Sequence, residues 1–326
     1  MTTRTYAQAI LEGFEYLLAR YDEVFIIGQG VWSPWYVGSS MADLDRKFGK
    51  ERVIDTPVSE WATTSAAVGA ALNGLRPIVI HPRIDFMLLA TDSLVNQAAK
   101  WNHMLGGQAS PAVTVRGIVN RGGEQGAQHS QALHSWYSHI PGLRVVMPAT
   151  VADARDLLIA ATLSPDPVLY IDDRWLYAQT EALGPVREVP LNEIGNQVLR
   201  VGGDITLGGC SWATYLNLEA AEVLATEGIS AEVVDCRILN PLDRTPIIQS
   251  VQRTGRLLAV DGSWATCGIS AELIATAAEA VPPRNWKAAP ARIALPDAPA
   301  PTSKPLEQAY YPTVEQVVAA AKKLVQ

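Results

Sequence analysis

Residues 53–81, VIDTPVSEWATTSAAVGAALNGLRPIVIH, decide how this chain is organised. Val53 and Ile54 read as the end of a strand, Thr56 and Pro57 turn the chain, and Ser59 stands where a helix N-cap belongs. A run of small residues to Leu72 then reads as a helix, and RPIVIH (76–81) as the next strand. Strands apolar on both faces and joined through helices predict a parallel sheet covered on both sides. Glu60 stands in the first turn of a helix otherwise made of Ala, Gly and Thr. The helix dipole favours an acid there by about 0.3–1 kcal/mol, so the position alone is an ordinary helix start.

The alternation continues outward. Strands are predicted at 23–28, 112–117, 143–149 and 167–172, and helices at 91–104 and 151–163. Around residues 179–195 the pattern lapses into TEALGPVREVPLNEIG, a linker. A second alternation follows: strands at 204–209, 231–237 and 256–262, with helices over 216–228 and from about 268. The expected fold class is α/β, two tandem three-layer α/β/α domains, with boundaries at 1–183 and 184–326. PDAPAPTSKP (296–305) reads as an extended strap before a last helix, TVEQVVAAAKKLV.

The totals bound the function. The chain has 326 residues, 48% hydrophobic and 18% charged, enough for two buried cores. A net charge of −7 gives no basic footprint for nucleic acid. Cys210, Cys236 and Cys267 are scattered and odd in number, with neither metal spacing nor a disulfide framework. The first twenty residues read as an amphipathic helix rather than a signal peptide, and no apolar run reaches the roughly 20 residues that span a bilayer. A soluble protein of the cytoplasm, without nucleic acid or membrane partners, is expected.

RGGEQGAQHSQALHSWYSHIPGLRVVMPAT (121–150) is the second informative segment. Gly122, Gly123 and Gly126 make a loop that presents His129 among polar neighbours, where functional side chains tend to sit. His134 and His139 read as packing histidines on the following helix. No acidic or Cys ligand keeps a spacing suited to a metal.

With these segments in order, together with ATDSLVNQAAKW, DCRILNPLD and AYYPTVEQVV, the chain resembles a known family over essentially its whole length. That family is the beta subunit of the thiamine-diphosphate-dependent decarboxylating component of 2-oxo acid dehydrogenase complexes, of pyruvate, branched-chain or acetoin type. The DTP-x-SE and QHSQ segments are the most specific. The resemblance implies a pyrimidine-binding domain followed by a transketolase C-terminal-like domain. It also implies an alpha2beta2 heterotetramer, with the cofactor between alpha and beta chains.

The cofactor works after its thiazolium carbon loses a proton to its own aminopyrimidine, which must be the imino tautomer. A carboxylate on pyrimidine N1′ favours that tautomer by exchanging a proton there. By resemblance Glu60 is that carboxylate, Phe86 the aromatic that stacks on the pyrimidine, and Val58 the residue whose backbone touches it. His129 matches the histidine near the thiazolium that assists proton transfer or orients the acyl acceptor. Val113, Ala161, Thr162, Ser164 and Asp166 align with a potassium-binding loop, Ser164 standing where relatives often carry Asp.

The diphosphate is normally held through Mg2+ by a GDG motif followed by Asn, in the companion domain. This chain has GGD at 202–204 and VDG at 260–262 but no GDG. The resemblance therefore implies half a site, completed by an alpha subunit. The chain also departs from its relatives. Gln29-Gly30 replaces a usual Glu pair, VWSPWYVGSS is rich in tryptophan, and IHPRID and WNHML are atypical. These differences leave three readings: acyl transfer to the lipoyl-lysine of an acyltransferase, a split transketolase-type enzyme acting on a sugar or carrier protein, or a non-catalytic scaffold.

Overall fold

A computed structural model describes residues 2–326, and the chain divides into two compact units. The first comprises the residues up to Asn120 together with Trp136–Ile194; the second comprises Arg121–Ser135 and Gly195–Gln326.

The first unit opens with β1 (Thr2–Thr5) and α1 (Tyr6–Arg20), joined by a reciprocal capping box between Thr5 and Gln8. It continues through β2 (Val24–Gly28), α2 (Leu44–Phe48), β3 (Val53–Asp55), α3 (Glu60–Leu72), β4 (Arg76–His81), α4 (Ala99–Met104) and β5 (Thr114–Val119). A one-turn helix, α5 (His134–Ser138), precedes β6 (Arg144–Val146), α6 (Val151–Leu163), β7 (Val168–Asp173) and β8 (Thr180–Leu183). Its six sheet strands run parallel in the order β6-β7-β5-β4-β2-β3. Every residue of β5 and of β7 is buried, so both faces of the sheet are covered, as the continuous apolar strands predict. Inside it Arg116 forms a bidentate pair with Asp172 at 2.8 Å through Nε and Nη2. The same Nη2 donates to Ser40 Oγ at 2.9 Å. An ion so deeply buried is tolerated because its partners are charged and well aligned.

The second unit contains β9 (Gln197–Arg200), β10 (Ile205–Gly209), α7 (Trp212–Thr226), β11 (Ala231–Asp235), β12 (Ile238–Asn240) and α8 (Thr245–Thr254). It ends with β13 (Leu257–Trp264), α9 (Ile269–Ala280), β14 (Ala291–Leu295), α10 (Lys304–Tyr310) and α11 (Val314–Val325). Its sheet has the order β14-β13-β10-β11-β9, parallel except for antiparallel β9. Leu207, Leu224, Val233, Val260 and Val317 form part of one core in which α7 and α11 pack together.

Several elements differ from the sequence reading. The supposed linker contains β8, which pairs antiparallel with β1. The strap region is not wholly extended: β14 precedes it and α10 begins at Lys304. His139 lies beyond the end of α5 and is exposed, so it is not a packing residue; His134 is buried.

Candidate active site

Parallel strands leave their carboxyl ends at one edge of the sheet, where ligands of open α/β sheets bind. Here Gly28 ends β2, Asp55 ends β3 and His81 ends β4, with Gly28 paired to both Asp55 and Ile80. The strands approach so closely that a Cβ on Gly28 would lie 2.5 Å from the Ile80 carbonyl oxygen. Thr56 N donates to Gly28 O at 2.9 Å, turning the chain over the edge and into α3. Ser59 occupies the N-cap position, but its side chain makes no capping hydrogen bond, contrary to the usual use of serine there.

Glu60 is only 5% exposed. Among the described residues, no side chain or backbone group gives its carboxylate a hydrogen bond or ion pair. Its oxygens are absent from the fully enclosed, unpartnered polar atoms, so the little exposure Glu60 keeps includes them and a group from outside could reach them. The residues beside it run the other way: Val58 is 74% exposed and Trp61 59%. A nearly buried carboxylate flanked in sequence by two exposed apolar residues is what an incomplete binding site would offer a partner.

One turn further along α3, Thr64 Oγ1 lies 3.0 Å from His81 Nε2 in a buried pair. Burial lowers the His81 imidazole from its ordinary range to about 4, so it is neutral near pH 7. Sequence reasoning noted IHPRID only as a departure and did not single out this histidine. Its signal was a lone polar residue ending an apolar strand. Phe86 begins a short 3-10 helix, Phe86–Ala90, that packs against α3, so Val58, Glu60 and Phe86 share the first unit.

The loop above strand β3 is organised by the same edge. Val31 N donates to Asp55 Oδ1 at 3.1 Å, and Trp32 Nε1 donates to Val53 O at 2.7 Å. Trp35 projects from it, 76% exposed.

His129 belongs to the second unit, half-buried on the loop that follows Arg121. Five residues on, His134 Nε2 lies 3.2 Å from Asp261 Oδ1, both buried. Burial alone would raise the Asp261 carboxyl, but the His134 ring and the amides of Ser270 and Ser263 carry it below its ordinary value.

The potassium-loop candidates gather around the C-terminus of α6. Arg76 Nη1 donates to Thr162 O at 2.9 Å and to Ser164 O at 3.0 Å. Ser164 N donates to Ala161 O, and Val168 N to Val113 O. Asp166 pairs with Arg144 at 2.8 Å. These oxygens are of the kind that suits an alkali cation, yet a guanidinium already holds two of them. No cluster of three or more His, Cys, Asp or Glu side chains able to hold a metal occurs among the described residues. All three cysteines are free thiols, and no helix among the described residues is long and apolar enough to cross a membrane.

Comparison with known proteins agrees with this architecture. Residues 2–179 match the family model of the transketolase pyrimidine binding domain, and residues 196–317 that of the transketolase C-terminal domain. Pyruvate dehydrogenase E1 component subunit beta-2 of Oryza sativa is 38% identical, covering 98% of this chain and 85% of that protein. The corresponding beta subunit of Saccharomyces cerevisiae is 37% identical over 99% and 89%. The beta subunit of acetoin:2,6-dichlorophenolindophenol oxidoreductase from Cupriavidus necator is 37% identical over 97% and 95%. A solved split-gene transketolase, described as an inactive beta4 tetramer, superposes with a TM-score of 0.76 at 21% identity. It covers 98% of this chain and 96% of its own, and supports the fold alone. Sequence, sheet edge and family models converge: the chain belongs to the family of beta subunits of thiamine-diphosphate-dependent 2-oxo acid dehydrogenases.

Proposed function

We propose that this chain, paired with an alpha subunit in an alpha2beta2 assembly, decarboxylates a 2-oxo acid and passes the acyl group to the lipoyl-lysine of an acyltransferase. The observation that carries this reading is Glu60, a buried carboxylate with no protein donor at the carboxyl edge of the sheet. Thiamine diphosphate, when bound, supplies a nucleophilic carbon and an electron sink.

Glu60 exchanges a proton at pyrimidine N1′, Phe86 supports the ring by stacking, and Val58 offers its backbone. His129 moves a proton near the reacting carbon or orients the acyl acceptor. The exposed Val58 and Trp61 are covered by the alpha chain, which excludes water and strengthens the electrostatic work of Glu60. That subunit carries the GDG motif and holds Mg2+ on the diphosphate. Val113, Ala161, Thr162, Ser164 and Asp166 would hold potassium if it binds, steadying a loop that Arg76 already ties through Thr162 O and Ser164 O. The three thiols fit a reducing cytoplasm.

Glu60→Gln in the assembled complex tests the reading. Loss of a positioned acid–base group costs about 10²–10⁴-fold in kcat, with assembly intact by gel filtration. Full rate in the variant removes the proposal. Turnover of ketoses in place of 2-oxo acids by the unaltered complex replaces it with a transketolase-type reaction.

A further inference from the structure

The loop that carries His129 is held in an unfavourable backbone shape. Gly122, Gly123, Glu124 and Gly126 all have positive φ, between 60° and 73°. Glycines adopt this region freely but lose more entropy when fixed there, and Glu124, with a side chain, is strained as well. Something must therefore hold the loop.

The C-terminal strap does so at three points. Glu307 of α10 is 6% exposed, and both its oxygens accept from Glu124 N, at 3.1 and 3.0 Å. Thr302 crosses Gly126 so closely that a Cβ there would lie 2.7 Å from Thr302 Oγ1. Tyr311, just past α10, faces Arg121, Ser130 and the Gly122 backbone. The loop's ends are fixed to the same unit: Arg121 Nη1 donates to Gly262 O at 2.8 Å, and His134 meets Asp261. Between these anchors Gly123, Glu124, Ala127 and Gln128 are exposed and His129 is half-buried, so the backbone anchors rather than burial of side chains hold the loop.

We infer that the segment Thr302–Tyr311 is the positioning device of the His129 loop, with Glu307 as its principal positioning residue. This rests on the assignment of His129 to the reaction. Glu307 touches no reacting group. It fixes Glu124 in its left-handed conformation and so sets where the chain stands five residues later.

The test measures hydrogen exchange of peptides spanning 122–131 in the full chain, for Glu307→Ala and Glu307→Gln. Alanine removes both acceptors and speeds exchange of the loop at least tenfold, while amides of β10 and β13 stay protected. Glutamine keeps one carbonyl acceptor for the same N–H and restores most of the protection, which separates local positioning from general unfolding. In the complex with the alpha subunit and thiamine diphosphate, Glu307→Ala lowers kcat at least tenfold, with KM for the 2-oxo acid within twofold, and Glu307→Gln rescues it. Unchanged loop exchange in Glu307→Ala overturns the inference. So does a mobile loop with undiminished kcat where His129→Ala is impaired. Full activity of His129→Ala sinks the assignment of the loop to catalysis instead, and the exchange comparison then decides the clamp by itself.

Discussion

A buried imidazole paired with a neutral hydroxyl resists protonation, and His81, 3.0 Å from Thr64 Oγ1, shows the consequence. Its folded value is lowered to about 4 by burial, against 6.5 in an unfolded chain. Between those values the unfolded state binds a proton that the folded state refuses. The stability contributed is therefore complete above about pH 6.5 and is lost as pH falls toward 4, to a total of roughly 3 kcal/mol. Urea unfolding at pH 7 and pH 4.5 should show the natural chain losing about 2 kcal/mol more than His81→Gln. Parallel losses would show that the ring does not titrate in this way. Glu60 differs from His81 in kind: at 5% exposure its carboxylate makes no hydrogen bond within the described residues, which leaves it open to a partner from outside the chain.

Elements with strong local signals were legible. α3 and α6 begin and end at the predicted residues, Glu60–Leu72 and Val151–Leu163. For α6 the reason is visible in Thr150, whose side chain accepts from Asp153 N. β5 starts two residues later than predicted because Val113 N bonds to Pro111 O in a tight turn before the ladder begins. β1 and β8 were missed because TTRT and TEAL lack the apolar alternation that marks a half-buried strand. The strap's role was illegible for another reason: Glu124 and Glu307 are 183 residues apart, and no local pattern announces such a pairing. Arg76 is likewise an element-scale device, tying the start of β4 to the end of α6. Arg76→Met should destabilise the chain by about 2 kcal/mol, as expected for charged hydrogen bonds near the surface. It should also leave the melting temperature higher in KCl than in choline chloride. Equal melting temperatures in the two salts would show that these carbonyls take no potassium.

At the scale of the whole molecule, Val58, Trp61 and Leu89 are exposed on or beside α3 and the short helix Phe86–Ala90 that packs against it, all in the first unit. Apolar surface of this kind marks a partner site, where aromatic residues carry much of the binding energy. Trp61→Arg should weaken association with the alpha subunit at least tenfold, measured by titration calorimetry, without altering the circular dichroism of the isolated chain. Unaltered affinity would move the interface elsewhere. The family resemblance was legible across the whole chain because its motifs keep their order. What no single segment could reveal was the assignment of Arg121–Ser135 to the second unit, although most of its chain neighbours belong to the first.

The tryptophan-rich segment stands on a footing to which Trp32 contributes through Val53 O but Trp35 does not. Ser40 is tied from below by Arg116, and Val31 by Asp55, whereas Trp35 points outward. Position 35 can thus be exchanged during divergence, or in a mutant library, without disturbing the foundations. Lineages that share this scaffold have there a cheap place to experiment with new chemistry at the rim.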